Sequence, residues 1–103
     1  MQFSKYPIKE IIITENGAAY HDDVSADTVH DTKRVNFFKE YLKNVLRAKQ
    51  EGANVTGYFA WTLVDNFEWT FGYAPRFGIV YDDFRTQRRI VKDSGLWFRE
   101  FLK

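Results

Sequence analysis

The chain has no cysteine among its 103 residues. Disulfide staples and thiolate metal sites are therefore excluded, although the redox compartment stays open. It also lacks an excess of charge of either sign. Fifteen Lys and Arg against fourteen Asp and Glu leave a net charge of +1. No large one-signed field exists to gather nucleic acid or an acidic membrane. Long apolar runs are missing too. Runs such as Ile11 to Ile13 fall far short of the roughly 20 residues that cross a bilayer. Met1 to Glu10 contains no apolar stretch of the secretory kind, so the expected location is cytoplasmic. With no repeat, low-complexity tract or linker, residues 1–103 read as one unit, of a size for one small core.

Aromatic residues are abundant: three Trp, six Tyr and ten Phe make up 18% of the chain. A unit this small has too little interior to hide so many large rings. Either many of them are exposed, or the chain packs against something else. Exposed aromatic patches mark an interface or a ligand groove.

The order of elements follows from periodicity. Residues 8–14, with three consecutive Ile, suit a strand buried on both faces. Glu15-Asn16-Gly17 ends it with turn chemistry, and a polar loop follows over residues 18–30. Asp31 is placed to cap a helix. From Lys33 to Glu51 the residues Val35, Phe38, Leu42, Val45, Leu46 and Lys49 recur at helical steps, and Gly52 supplies a C′ position. Residues 55–63 read as a second buried strand. Strand, helix and strand make a βαβ unit with parallel strands and a right-handed crossover. A long aromatic loop occupies residues 64–77. Residues 78–82 and 87–92 form a short hairpin closed by Asp83 to Thr86, and a final helix starts near Asp93. Such a unit is not closed: two parallel strands leave open edges and uncovered apolar faces. It belongs to a larger α/β fold, whose active site lies beyond the C-terminal ends of its strands.

Two places there carry chemistry. Glu15 ends the first strand and projects toward the catalytic face. Taken alone, it reads more readily as a polar residue opening an Asn-Gly turn. The loop Trp61-Thr62-Leu63-Val64-Asp65-Asn66-Phe67-Glu68-Trp69 follows the second strand, so it lies on the same face. Its indoles can cover the C–H face of a sugar while its carboxylates accept hydrogen bonds from paired hydroxyls. Asp65 and Glu68 are equally spaced for helix capping, and the tryptophans equally suited to a core. His21 and His30 lack ligand spacing and read as surface residues. Arg85, Arg88 and Arg89 read as a solvated cluster, and Asp82-Asp83 as turn chemistry.

Taken together these runs carry a resemblance. Ile13-Thr14-Glu15-Asn16-Gly17 resembles the nucleophile motif of glycoside hydrolase family 1, the β-glucosidase family. Gly57-Tyr58-Phe59-Ala60-Trp61-Thr62-Leu63-Val64-Asp65-Asn66-Phe67-Glu68-Trp69 resembles its sugar-binding loop. Gly72-Tyr73, Arg76 to Tyr81, Lys92-Asp93-Ser94, Trp97-Phe98, and Asp31 with Arg34 continue the match in the family's order. The resemblance implies an α/β fold, the C-terminal part of a (β/α)8 TIM barrel with its seventh and eighth strands, incomplete alone. It implies that Glu15 is the nucleophile, that Trp61 lies beneath the sugar, that Glu68 and Trp69 hold its hydroxyls, and that Phe77 lines the pocket. It implies no metal and no cofactor. The family's acid/base Glu, in an Asn-Glu-Pro motif, is absent here. The expected function is that of a nucleophile-bearing part of a retaining β-glycosidase, active only with a complementary N-terminal barrel chain that supplies that Glu. The substrate is a β-glycoside, and neither nucleic acid nor membrane is expected as a partner. A non-catalytic carbohydrate-binding or structural piece and a homo-oligomer are the alternatives. Glu68-Trp69 favours an unphosphorylated glycone.

Overall fold

The computed structural model describes residues 9–66 and 75–103. Strand β1, Ile11–Asn16, leads through a small antiparallel pair, β2 (Val24–Ser25) with β3 (Thr28–Val29), into the 19-residue helix α1, Thr32–Gln50. Strand β4, Val55–Ala60, then pairs in parallel with β1, completing the expected βαβ unit. Strands β5 (Val80–Asp82) and β6 (Arg89–Val91) form the expected antiparallel hairpin, and helix α2 covers Asp93–Phe101. Among the described residues no helix is long and apolar enough to cross a membrane.

Several boundaries differ from the sequence expectation, each for a hydrogen-bonding reason. β1 continues through Glu15 and Asn16 because the Asn16 carbonyl accepts the Trp61 N–H at 2.8 Å. β4 stops at Ala60, three residues early. The Trp61–Thr62 peptide is cis. Beyond it the Thr62 N–H donates to the Phe77 carbonyl at 3.2 Å, and the Leu63 carbonyl accepts the Val80 N–H at 2.8 Å. The backbone has left its partner β1 for the segment that leads into β5. The loop over residues 18–30 contains the β2–β3 hairpin, turned by Ala26 and Asp27 at φ 48° and 64°. Alanine rarely adopts such angles, so its presence gives no turn signal. Gly52, at φ 106°, takes the left-handed position expected after α1.

The apolar core is small. Among the described residues the buried hydrophobic ones are Val29, Phe38, Leu42, Ala53, Val55 and Ile90. Phe38 meets Phe98 of α2 edge-on, with ring centroids 4.8 Å apart. Leu46, on the same predicted stripe of α1, stays 49% exposed. The sheet is uncovered in part: Ile12 of β1 is 48% exposed and Phe59 of β4 is 60% exposed. The Cα radius of gyration is 15.8 Å, against about 13 Å for a compact unit of this length. This is the open architecture that the unpaired strand edges implied.

Charged groups supply much of the interior. Arg34 Nη1 donates to Asp22 at 2.9 Å and to Asp31 at 2.6 Å, and Lys92 Nζ donates to Asp22 at 2.5 Å and to Asp65 at 2.9 Å. Arg76 Nη1 donates to Asp65 at 2.7 Å. The side chains of Arg34 and Lys92 are fully buried. Burial works against the Arg34 charge, but the hydrogen bonds and charges of Asp22 and Asp31 outweigh it, so the guanidinium is held above its ordinary range. Asp31 stands at the N-cap of α1 but makes no side-chain cap bond. Its carboxylate instead accepts from Arg34 and from the Ser94 N–H and Oγ–H. The capping expectation is corrected: a buried cation and the start of α2 claim those oxygens.

Candidate active site

Two parallel strands that end side by side present their next residues on one edge. Here Glu15 is the penultimate residue of β1, and Trp61 follows the last residue of β4. The register pairs Ile13 with Tyr58 and Asn16 with Ala60. Two residues of β1, Thr14 and Glu15, therefore stand opposite the single residue Phe59. This two-against-one register shift, one of two in the β1–β4 ladder, is an irregularity of the β-bulge kind, which bends a strand and re-aims a side chain. Glu15 is exposed, and among the described residues no hydrogen bond or ion pair is recorded for its carboxylate. The strand end beyond it is tied down. Asn16 receives the Trp61 N–H on its carbonyl at 2.8 Å and the Tyr58 hydroxyl on Oδ1 at 2.5 Å. Burial pushes the Tyr58 hydroxyl up to about 12, with a further contribution from Tyr41, so it remains a protonated donor.

Gly17 explains why Asn16 is followed by glycine. A Cβ there would lie 1.9 Å from the Trp61 carbonyl oxygen and 2.9 Å from its carbon. The neighbour is main chain and cannot swing aside. Gly17→Ala should therefore pry the end of β1 away from Trp61. A loss of stability at or beyond the roughly 1–3 kcal/mol usual for overpacking is expected. The urea midpoint of the variant measures it, and an unchanged midpoint would refute the close approach.

Phe77 reaches the same edge through its carbonyl, which accepts the Thr62 N–H at 3.2 Å, and its side chain is half-buried. The structure thus brings Glu15, Trp61 and Phe77 to one end of the β1–β4 pair. Glu68 and Trp69 lie outside the described residues.

Asp65 departs from the sequence reading, which grouped it with the sugar-facing carboxylates or a helix cap. It is buried, and both oxygens are occupied. Oδ1 accepts from Lys92 and from the Gly78 N–H at 2.9 Å, while Oδ2 accepts from Arg76 and from the Asp82 N–H at 3.3 Å. Arg76 also donates to the Asp82 carbonyl at 2.9 Å and lies over the rings of Tyr81 and Phe84. Asp65 and Arg76 thereby join the two described stretches that flank residues 67–74. Asp82 is likewise buried rather than part of the turn. Asp83 does form the turn: its carboxylate accepts the Arg85 N–H at 3.0 Å and is held below its ordinary range, chiefly by that bond.

His21 and His30 are on the surface, beside Asp23 and Asp93. Among the described residues no group of three or more His, Cys, Asp or Glu is placed to hold a metal ion. The basic residues Arg85, Arg88 and Arg89 are exposed, and Arg88 pairs with Asp27. Sequence reasoning did not find the roles of Asp22, Tyr58 and Asp65. Asp22 and Asp65 meet Lys92 from 70 and 27 positions away, and Tyr58 meets Asn16 from 42, while their other charged partners Arg34 and Arg76 lie 12 and 11 positions off, so no local spacing announces them.

Comparison with known proteins places this geometry. The model of glycosyl hydrolase family 1 matches residues 1–103. Beta-glucosidase A of Thermotoga maritima is 52% identical over 100 residues, covering 96% of this chain and 22% of the relative. A bifunctional beta-D-glucosidase/beta-D-fucosidase of Bifidobacterium breve is 47% identical over 102 residues, covering 94% of this chain and 22% of the relative. The solved family 1 β-glucosidase of Thermotoga maritima in complex with isofagomine lactam superposes with a TM-score of 0.92 at 51% identity, over 96% of this chain and 23% of that one. The chain spans about a fifth of the length of these relatives. Its fold is a part of that family's barrel, and the chain belongs to glycosyl hydrolase family 1.

Proposed function

We propose that this chain is the C-terminal, nucleophile-bearing part of a retaining β-glycosidase of the β-glucosidase type. In this reading β1 and β4 are the seventh and eighth barrel strands. Their uncovered surface packs against a complementary N-terminal part, which supplies the acid/base Glu. The observation that carries the reading is the placement of Glu15 in a bulge at the C-terminal end of β1, with Trp61 hydrogen-bonded to the next residue.

A retaining enzyme holds its two carboxyl groups about 5–5.5 Å apart. A Glu15 oxygen attacks the anomeric carbon as its bond to the leaving oxygen breaks, and the partner Glu gives its proton to that oxygen. Water then attacks the same carbon. The bond to Glu15 breaks, the carboxylate is regenerated, and the water proton passes to the partner Glu. Trp61 offers a ring face to the sugar's C–H surface, Phe77 adds a wall, and Glu68 with Trp69 holds hydroxyls of an unphosphorylated glycone. The mechanism requires neither a metal nor a cofactor.

The test is hydrolysis of a chromogenic β-glucoside by the chain alone and by the chain mixed with an N-terminal family 1 barrel part. An activated 2-deoxy-2-fluoro glycoside, which stalls at the covalent stage, is used in parallel. Hydrolysis by the mixture only, with the sugar mass on the peptide containing Glu15, is the expected result. A stable mixture that neither hydrolyses nor labels would favour a carbohydrate-binding or structural role.

A further inference from the structure

We propose that Tyr58 is a positioning residue for Glu15, acting through Asn16 to brace the bulge from which Glu15 projects. The inference rests on Glu15 being the nucleophile. A bulge leaves an extra residue out of the ladder, so the strand loses its regular support where the carboxylate must be aimed. β1 carries this extra residue between Ile13 and Asn16. Support has to come from the first residue past the bulge, and Asn16 provides it twice. Its carbonyl takes the Trp61 N–H, and its Oδ1 takes the Tyr58 hydroxyl at 2.5 Å.

Tyr58 is well built for this role. It stands opposite Ile13, immediately before the bulge, and its hydroxyl reaches Asn16, immediately after it. The bond therefore spans the irregular stretch like a strut. The Tyr58 side chain shares an apolar cavity of about 300 Å³ with Leu42, Ala60, Ile79 and Phe98. The aim of a reacting group is sensitive: a misplacement of about 1 Å can cost about 100-fold in rate.

The experiment uses the chain assembled with its N-terminal barrel part, as wild type, Tyr58→Phe, Asn16→Ala and the double variant. Two quantities are read: the labelling rate constant with the 2-deoxy-2-fluoro glycoside, and the dissociation constant of a reversible sugar-like inhibitor. Tyr58→Phe removes one oxygen and keeps the ring in its cavity. The expected result is a labelling rate constant lower by roughly 10- to 100-fold with inhibitor binding changed less than about threefold. Tyr58→Phe should have no further effect in the Asn16→Ala background, because the two changes break the same bond. An unchanged labelling rate in Tyr58→Phe would overturn the inference. So would a loss of labelling matched by an equal loss of inhibitor binding, which marks a general structural role. Failure of the wild-type assembly to label Glu15 would instead overturn the nucleophile reading, and this inference with it.

Discussion

Glu15→Gln in the assembled barrel is expected to lower kcat by roughly 10⁴- to 10⁶-fold, the scale on which removal of a covalent nucleophile acts. The amide has nearly the shape of the carboxylate, so the bulge at Thr14 and Glu15 and its brace at Asn16 should persist. What disappears is the negative charge, and with it the nucleophilicity that the proposed mechanism asks of Glu15. Because Glu15 is exposed near the end of β1, the substitution removes no side-chain hydrogen bond or ion pair among the described residues. Stability should therefore change by less than about 0.5 kcal/mol, the usual range for a surface position. Steady-state hydrolysis of a β-glucoside together with urea unfolding separates the two effects. A variant that retains more than about a tenth of the wild-type kcat would sink the assignment of Glu15.

Lys92→Met is expected to be the most damaging single change to the fold, at about 3–5 kcal/mol, the cost of removing one partner from a buried ion pair. Marginal stabilities of about 5–15 kcal/mol leave little reserve against such a loss. The arithmetic of charges explains the size. Asp22, Asp31 and Asp65 are paired with Arg34, Arg76 and Lys92, three against three. Lys92 is the link between the Arg34 and Arg76 clusters, through Asp22 and Asp65. Methionine fills a similar volume, but it leaves the three ion-paired carboxylates to two guanidinium groups, Arg34 fully buried and Arg76 largely so. If uncompensated charge is the cause, Lys92→Met with Asp22→Asn should recover part of the loss, because two carboxylates then face two guanidinium groups. Urea unfolding followed by circular dichroism measures both variants. A double variant no better than the single one would show that lost packing, and not charge, sets the cost.

The legible part of this chain was the part written in local pattern. Three consecutive Ile, the 3.6-residue recurrence from Val35 to Leu46 and the apolar run before Trp61 each report their element through backbone geometry that neighbouring residues share. Strand, helix, strand, hairpin and helix followed from them. The motifs around Glu15 and Trp61 were legible for the same reason, since each is a continuous run at a strand end. The β2–β3 hairpin was not, because Ala26 holds a left-handed conformation that only its surroundings impose.

What the sequence alone determined about this protein is therefore its element order, its incompleteness as a closed sheet, and the identity of the residues at the C-terminal ends of two parallel strands. Tertiary structure decided which charges are internal and which face outward. Asp65 stands among aromatic residues in a loop and reads as a sugar-facing carboxylate or a helix cap, yet Lys92 and Arg76 hold it inside. Asp31 reads as a helix cap, yet Arg34 and Ser94 occupy it. The register shift beside Glu15 is a mismatch between two strands, a property that neither strand possesses by itself. Periodicity is a property of neighbours along the chain. The Lys92–Asp22 pair and the β1–β4 register join residues tens of positions apart, and only folding determines those meetings.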